Sequence, residues 1–100
     1  MITIAGKEVN IKYCFATEYV FRILARKSIE NFDPKNQEDI IHLIMASIMS
    51  AYNLQEDLPV TEVDILFNAS QQEIVNAIKE ISKLSISWHE IPDELEKKTN

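Results

Sequence analysis

Glycine is nearly missing from this chain, which holds Gly6 and no other. A phosphate-cradling loop needs several glycines for close backbone approach, so nucleotide loops of that kind are excluded. A single cysteine, Cys14, rules out an internal disulfide, and with His42 and His89 it forms no zinc-ligand spacing. Between Tyr13 and Phe15, Cys14 reads as a small buried hydrophobe in a reducing compartment. Long apolar runs are missing too. The longest, residues 40–52, is interrupted by His42, Ser47 and Ser50, which argues against a membrane span. The opening residues lack the basic region and continuous apolar run of a secretory leader, so none is expected.

Basic charge is scarce where it would matter for nucleic acid. The net charge is -6, whereas phosphate neutralisation requires clustered lysine and arginine. Residues 36–78 contain no Lys or Arg and seven carboxylates, Glu38, Asp39, Glu56, Asp57, Glu62, Asp64 and Glu73. Residues 1–35 instead carry Lys7, Lys12, Arg22, Arg26, Lys27 and Lys35 against four acidic groups. Such polarity favours a basic partner or head-to-tail contact between copies; an ordinary solvated surface is the plain alternative.

What is present is a change of hydrophobic period. Ile2 and Ile4 precede Gly6, and Val9, Ile11 and Tyr13 follow it, an alternation that predicts a β-hairpin of residues 2–5 and 9–13. Beyond Phe15 the period becomes helical. Thr17 is the expected cap of a first helix reaching Lys27, with Val20, Phe21, Ile23 and Leu24 on its apolar side. A second helix is predicted over residues 37–52 behind Asn36, so apolar through its middle that it should be central and buried. Met45 and Met49 within it read as core filling rather than an adaptable groove. Thr61 caps a short helix over residues 62–67, and Ser70 with Glu73 forms a capping box for a long last helix. Residues 85–91 alternate through Ile86, Trp88 and Ile91, predicting a short extended piece that packs Trp88 on the core. The expected fold is therefore α+β and mostly helical: an N-terminal β-hairpin on a bundle of about four helices. It forms one domain over residues 1–92, followed by a charged tail, 93–100.

Catalytic chemistry is not apparent. His42 lies one turn after Glu38, which reads as a local surface pair rather than an oriented general base. His89 and Glu90 are adjacent and lack metal-ligand spacing. The run DPKNQED from Asp33 resembles a calcium loop only superficially, since Lys35 and Gln37 displace oxygen ligands and Ile44 stands at the closing carboxylate position. Residues 61–84 have the outline of a DNA-binding helix-turn-helix, with Gln71, Gln72 and Asn76 available to bases, but Glu62, Asp64, Glu73 and Glu80 outweigh Lys79 and Lys83. No enzyme activity, cofactor or metal is expected.

The ordered combination of ITIAGKEVNIKYCF, TEYVFRILARK, HLIMASIMSAYN and VTEVDILFNASQQEIVNAIKEI resembles the small tail assembly chaperones of long-tailed bacteriophages and prophages. The resemblance covers roughly residues 2–90 and rests on pattern and length. It implies a non-enzymatic protein of the bacterial host cytoplasm that binds the tape measure protein during tail assembly, with the tail tube protein as a second candidate partner. It also implies a short form that a ribosomal frameshift extends, for which the polar tail is a natural junction. The acidic middle lies outside what the resemblance explains. A small acidic helix-turn-helix regulator and a structural tail subunit are the alternatives. The expected partner groove lies between the first and last helices, from Phe21 and Leu24 to Ile78 and Ile81, with Trp88 at its end.

Overall fold

An alternating run around Gly6 must reverse direction within a few residues, and the computed structural model, which describes residues 1–90, shows a two-residue turn. Strands β1 (Ile2–Ile4) and β2 (Lys7–Val9) pair antiparallel, with Ile2 opposite Val9 and Ile4 opposite Lys7. Four helices follow: α1 (Phe15–Ala25), α2 (Gln37–Ala51), α3 (Glu62–Asn68) and α4 (Gln71–His89), with one 3-10 turn, Ile29–Asn31, between α1 and α2. The α+β, mostly helical architecture is as expected from the period change. The proposed tail, 93–100, lies outside the described residues.

Ala5 and Gly6 both have positive φ, 53° and 77°, the arrangement whose twist matches a hairpin. Glycine adopts it freely, while alanine is strained by its Cβ. The carboxylate of Glu73 on α4 offsets that strain by accepting the amide hydrogens of Ala5 at 3.1 Å and Gly6 at 3.0 Å. Replacing Ala5 by glycine is therefore expected to raise stability by about 0.5–1 kcal/mol, read from the urea midpoint. An unchanged or lowered midpoint would show that the turn bears no strain.

The second strand is displaced from the 9–13 that the alternation predicted: the tight turn lets pairing begin at Lys7, and of the predicted residues Val9 alone is in β2. Residues 10–13 run against α2 and find partners there: Asn10 N–H donates to the Tyr52 hydroxyl at 3.2 Å and Lys12 N–H to the Ser47 carbonyl at 3.1 Å. The first helix also begins earlier than expected, with Cys14 and not Thr17 at its cap. Thr17 is fully buried instead. Its hydroxyl accepts from Cys14 N–H and contacts the Lys12 carbonyl and Ser50 Oγ, both at 2.9 Å, so a tertiary network has claimed the expected cap. Cys14 is half-exposed rather than a core hydrophobe. Arg26, in the left-handed conformation, ends the helix before Lys27.

Helix α2 is the centre of the core. Leu43 to Ile48 are buried without a break, and Ile44 and Ile48 are wholly inaccessible, as are Ile4, Phe21 and Val60 from surrounding elements. A helix covered on all sides must place its polar groups inside. Ser47 and Ser50 do so by donating to carbonyls one turn back, Leu43 at 2.9 Å and Ala46 at 2.7 Å. Met45 is buried and Met49 half-buried against the same core.

The last helix corrects a further expectation. Ser85 to His89 continue α4 and are not extended. Alternation of Ile86 and Trp88 suggested a strand, but Ile81, Ser85 and Trp88 also lie at helical spacing, and that stripe is the one that meets the core. Capping boxes at Thr61 with Asp64 and at Ser70 with Glu73 start α3 and α4 where the sequence predicted them. No helix among the described residues is long and apolar enough to cross a membrane.

Candidate functional site

The five residues expected to line a partner groove do not share one surface. Phe21 and Ile81 are closed into the core at 0% and 1% exposure, and Leu24 and Ile78 pack half-buried against it. Trp88 stands at the far end of α4, its ring 5.7 Å from Tyr13 and 5.2 Å from Phe15, edge-on to the latter. A cleft of about 290 Å³ does run between the 3-10 turn and α4, lined by Tyr13, Ile29, Phe32, Leu43, Ile81 and Ile86 among others. Of the five expected residues, Ile81 alone reaches it.

Beside Trp88, polar contacts hold the last turn of α4 to α1. Glu18 Oε2 accepts from the Tyr13 hydroxyl at 2.7 Å and lies 3.1 Å from His89 Nε2. Burial, then the hydrogen bond to Glu18, push the Tyr13 phenol up to about 12. A phenol held protonated in this way donates to the carboxylate and ties the segment before α1 to its first turn. An exposed stripe begins at the same place: Phe15, Tyr19 and Ile23 recur every four residues on α1 and are 80%, 64% and 57% exposed.

A larger apolar groove, about 580 Å³, lies elsewhere, between α2, α3 and α4. Ile40 and Ile41 form one wall, Ile65 and Leu66 a second, and Ile74 and Val75 a third, with Gln37 and Gln71 at its polar ends. Helix α3, which supplies the second wall, is short. Its seven residues hold four large apolar side chains, Val63, Ile65, Leu66 and Phe67, yet Ile65 alone is buried and the other three stand more than half exposed. The sequence carried a signal for it, because a helix of this length has one inward face and cannot hide four such residues.

Other candidates resolve into structural roles. Asp39, on the first turn of α2, pairs with Lys27 and accepts Asp33 N–H at 2.9 Å, pinning the connection after α1 to the core. His42 makes no hydrogen bond or ion pair with Glu38 among the described contacts; its buried Nδ1 lacks a partner and it lies near enough to Asp39 to interact with its charge. The helix, break, helix outline is present as α3 and α4, with Glu73 turned to the hairpin and Gln71 to the apolar groove. No group of three or more His, Cys, Asp or Glu arranged to hold a metal occurs among the described residues. Comparison with known proteins returns no match: no family model fits the chain, and no curated protein or solved structure matches it.

Proposed function

We propose that this chain is a non-enzymatic binding protein that covers an apolar helical segment of another protein, and more particularly a tail assembly chaperone for a phage tape measure protein. The observation that carries the reading is the groove between α2, α3 and α4, walled by six apolar side chains, of which Leu66 is 55% and Val75 41% exposed. An apolar groove open to solvent costs solubility and marks an interaction site. A groove between helices suits the apolar face of another helix, whose side chains enter at helical spacing. A tape measure protein is long, helical and apolar-striped before the tube encloses it, so it presents such faces in number. The assignment to this family rests on the sequence resemblance.

Co-expression with a segment of the tape measure protein encoded beside this chain tests the reading. The segment should stay soluble and co-purify with the intact protein, and Leu66→Asp should abolish co-purification while leaving the circular dichroism spectrum unchanged. Leu66 is 55% exposed, so a charge there is not expected to disturb folding. Loss with Trp88→Ala in place of Leu66→Asp would move the contact to the cluster at the end of α4. Failure of the intact protein to bind would overturn the chaperone reading.

A further inference from the structure

The groove is built wholly from the part of the chain that lacks cations. Its walls come from residues 37–75, within the stretch 36–78 that contains no Lys or Arg. Glu38 and Glu62 are exposed within a turn of the lining residues, Glu38 three positions before Ile41 and Glu62 four before Leu66. Asp39 and Glu73 are engaged elsewhere, with Lys27 and with the hairpin turn. Lys35 and Lys79 bracket the stretch along the chain, and in space Lys7 reaches the residues before α3, donating to the Pro59 carbonyl at 3.3 Å, but it is not among the lining residues. Lys79 lines a separate cleft against β1, beside Met1, Ile2 and Thr3. An apolar trough with exposed carboxylates one helical turn from its lining residues, and no basic residue in any of its walls, can select its ligand by charge as well as by shape.

The geometry points to a partner of defined chemistry: an amphipathic helix whose apolar face is flanked by lysine and arginine. This rests on the groove being the docking surface and adds which helices it takes. The apolar face fills the space between Ile40, Leu66 and Val75, and the flanking cations lie over Glu38 and Glu62. Contacts at the rim are solvent-exposed, so their effect is on encounter and on choice between partners, and it fades with salt. Acidic-flanked helices meet like charge at the same rim and are turned away.

Three synthetic helical peptides titrated into the intact protein test this. The first carries leucines at positions i, i+3, i+4 and i+7 with Lys and Arg beside them. The second keeps the leucines and replaces the cations by Glu. The third keeps the composition of the first with the leucines scattered around the helix. The basic amphipathic peptide should bind at least about tenfold more tightly than the acidic one in dilute salt, and the gap should close near 1 M salt, where screening acts within about 3 Å. The double variant Glu38→Gln, Glu62→Gln should narrow the gap as salt does, and Leu66→Asp should weaken the basic peptide. Equal binding of the first two peptides overturns the charge preference and leaves the groove as the docking surface. Equal binding of the scattered peptide shows that charge alone acts, and overturns the proposal. Binding by none of the three removes the groove reading along with it. A homo-oligomer that Arg22→Glu dissociates and Leu66→Asp also dissociates would assign the groove to helix α1 of a second copy, and would overturn a separate partner.

Discussion

Ile44→Ala and Ile48→Ala should each destabilise the protein by about 2–5 kcal/mol, and together they should prevent folding. Both side chains are wholly inaccessible on a helix covered by α1, α3, α4 and the segment 10–13. Truncation removes buried methyl groups and leaves a cavity that the closely packed middle of α2 cannot collapse to fill. The urea midpoint should fall with the slope of the transition unchanged. A loss below about 0.5 kcal/mol at both positions, the range of a surface substitution, would show that α2 is not the packing centre.

Asp39→Ala should cost about 2–3 kcal/mol, because the Asp33 amide and the Lys27 ammonium both lose their acceptor. Lys27 is partly exposed and can turn to water, which keeps the loss below that of breaking a fully buried pair. The effect depends on pH with a definite sign. Burial opposes ionisation of Asp39, but the bonds from Lys27 and from Asp33 N–H outweigh it and hold the carboxyl below its ordinary range. Since the folded value lies below the unfolded one, the contribution is complete above about pH 5 and is lost as pH falls through the unfolded value, near 3.9, toward the folded one. Asp39→Asn keeps an acceptor for Asp33 N–H and loses the ion pair. The stability gap between wild type and Asp39→Asn should therefore narrow in acid. A gap constant from pH 7 to pH 3 would show that the ionised carboxylate contributes nothing.

Local chemistry was legible at three of the helix starts, where the satisfying partner sits two or three residues away. Asn36 accepts from Glu38 and Asp39 N–H, and the Thr61 and Ser70 boxes close through Asp64 and Glu73, as the spacing of these residues predicts. Thr17 was misplaced because its hydroxyl answers to Ser50, 33 residues away. Glu73 was read as a cap and is one, but its second task, receiving the turn amides of Ala5 and Gly6, depends on bringing together groups nearly 70 positions apart. The end of α4 was misread because Ile86 and Trp88 alternate as in a strand, whereas Trp88 also falls at helical spacing from Ile81; the helix turns Trp88 to Tyr13 and Phe15 and leaves Ile86 exposed.

The candidate site shows the same division. The sequence alone determined a hairpin followed by helices, a central apolar helix, and the absence of basic residues from 36–78, since periodicity, capping and charge are written residue by residue. Only the tertiary structure decided which apolar faces stay open. Phe21 and Leu66 are equally apolar on paper, yet α2 packs along α1 and covers Phe21, while seven-residue α3 turns Ile65 inward and leaves Leu66 facing solvent. Exposure depends on what lies opposite a side chain, and that is set by how the helices meet, not by the residue itself.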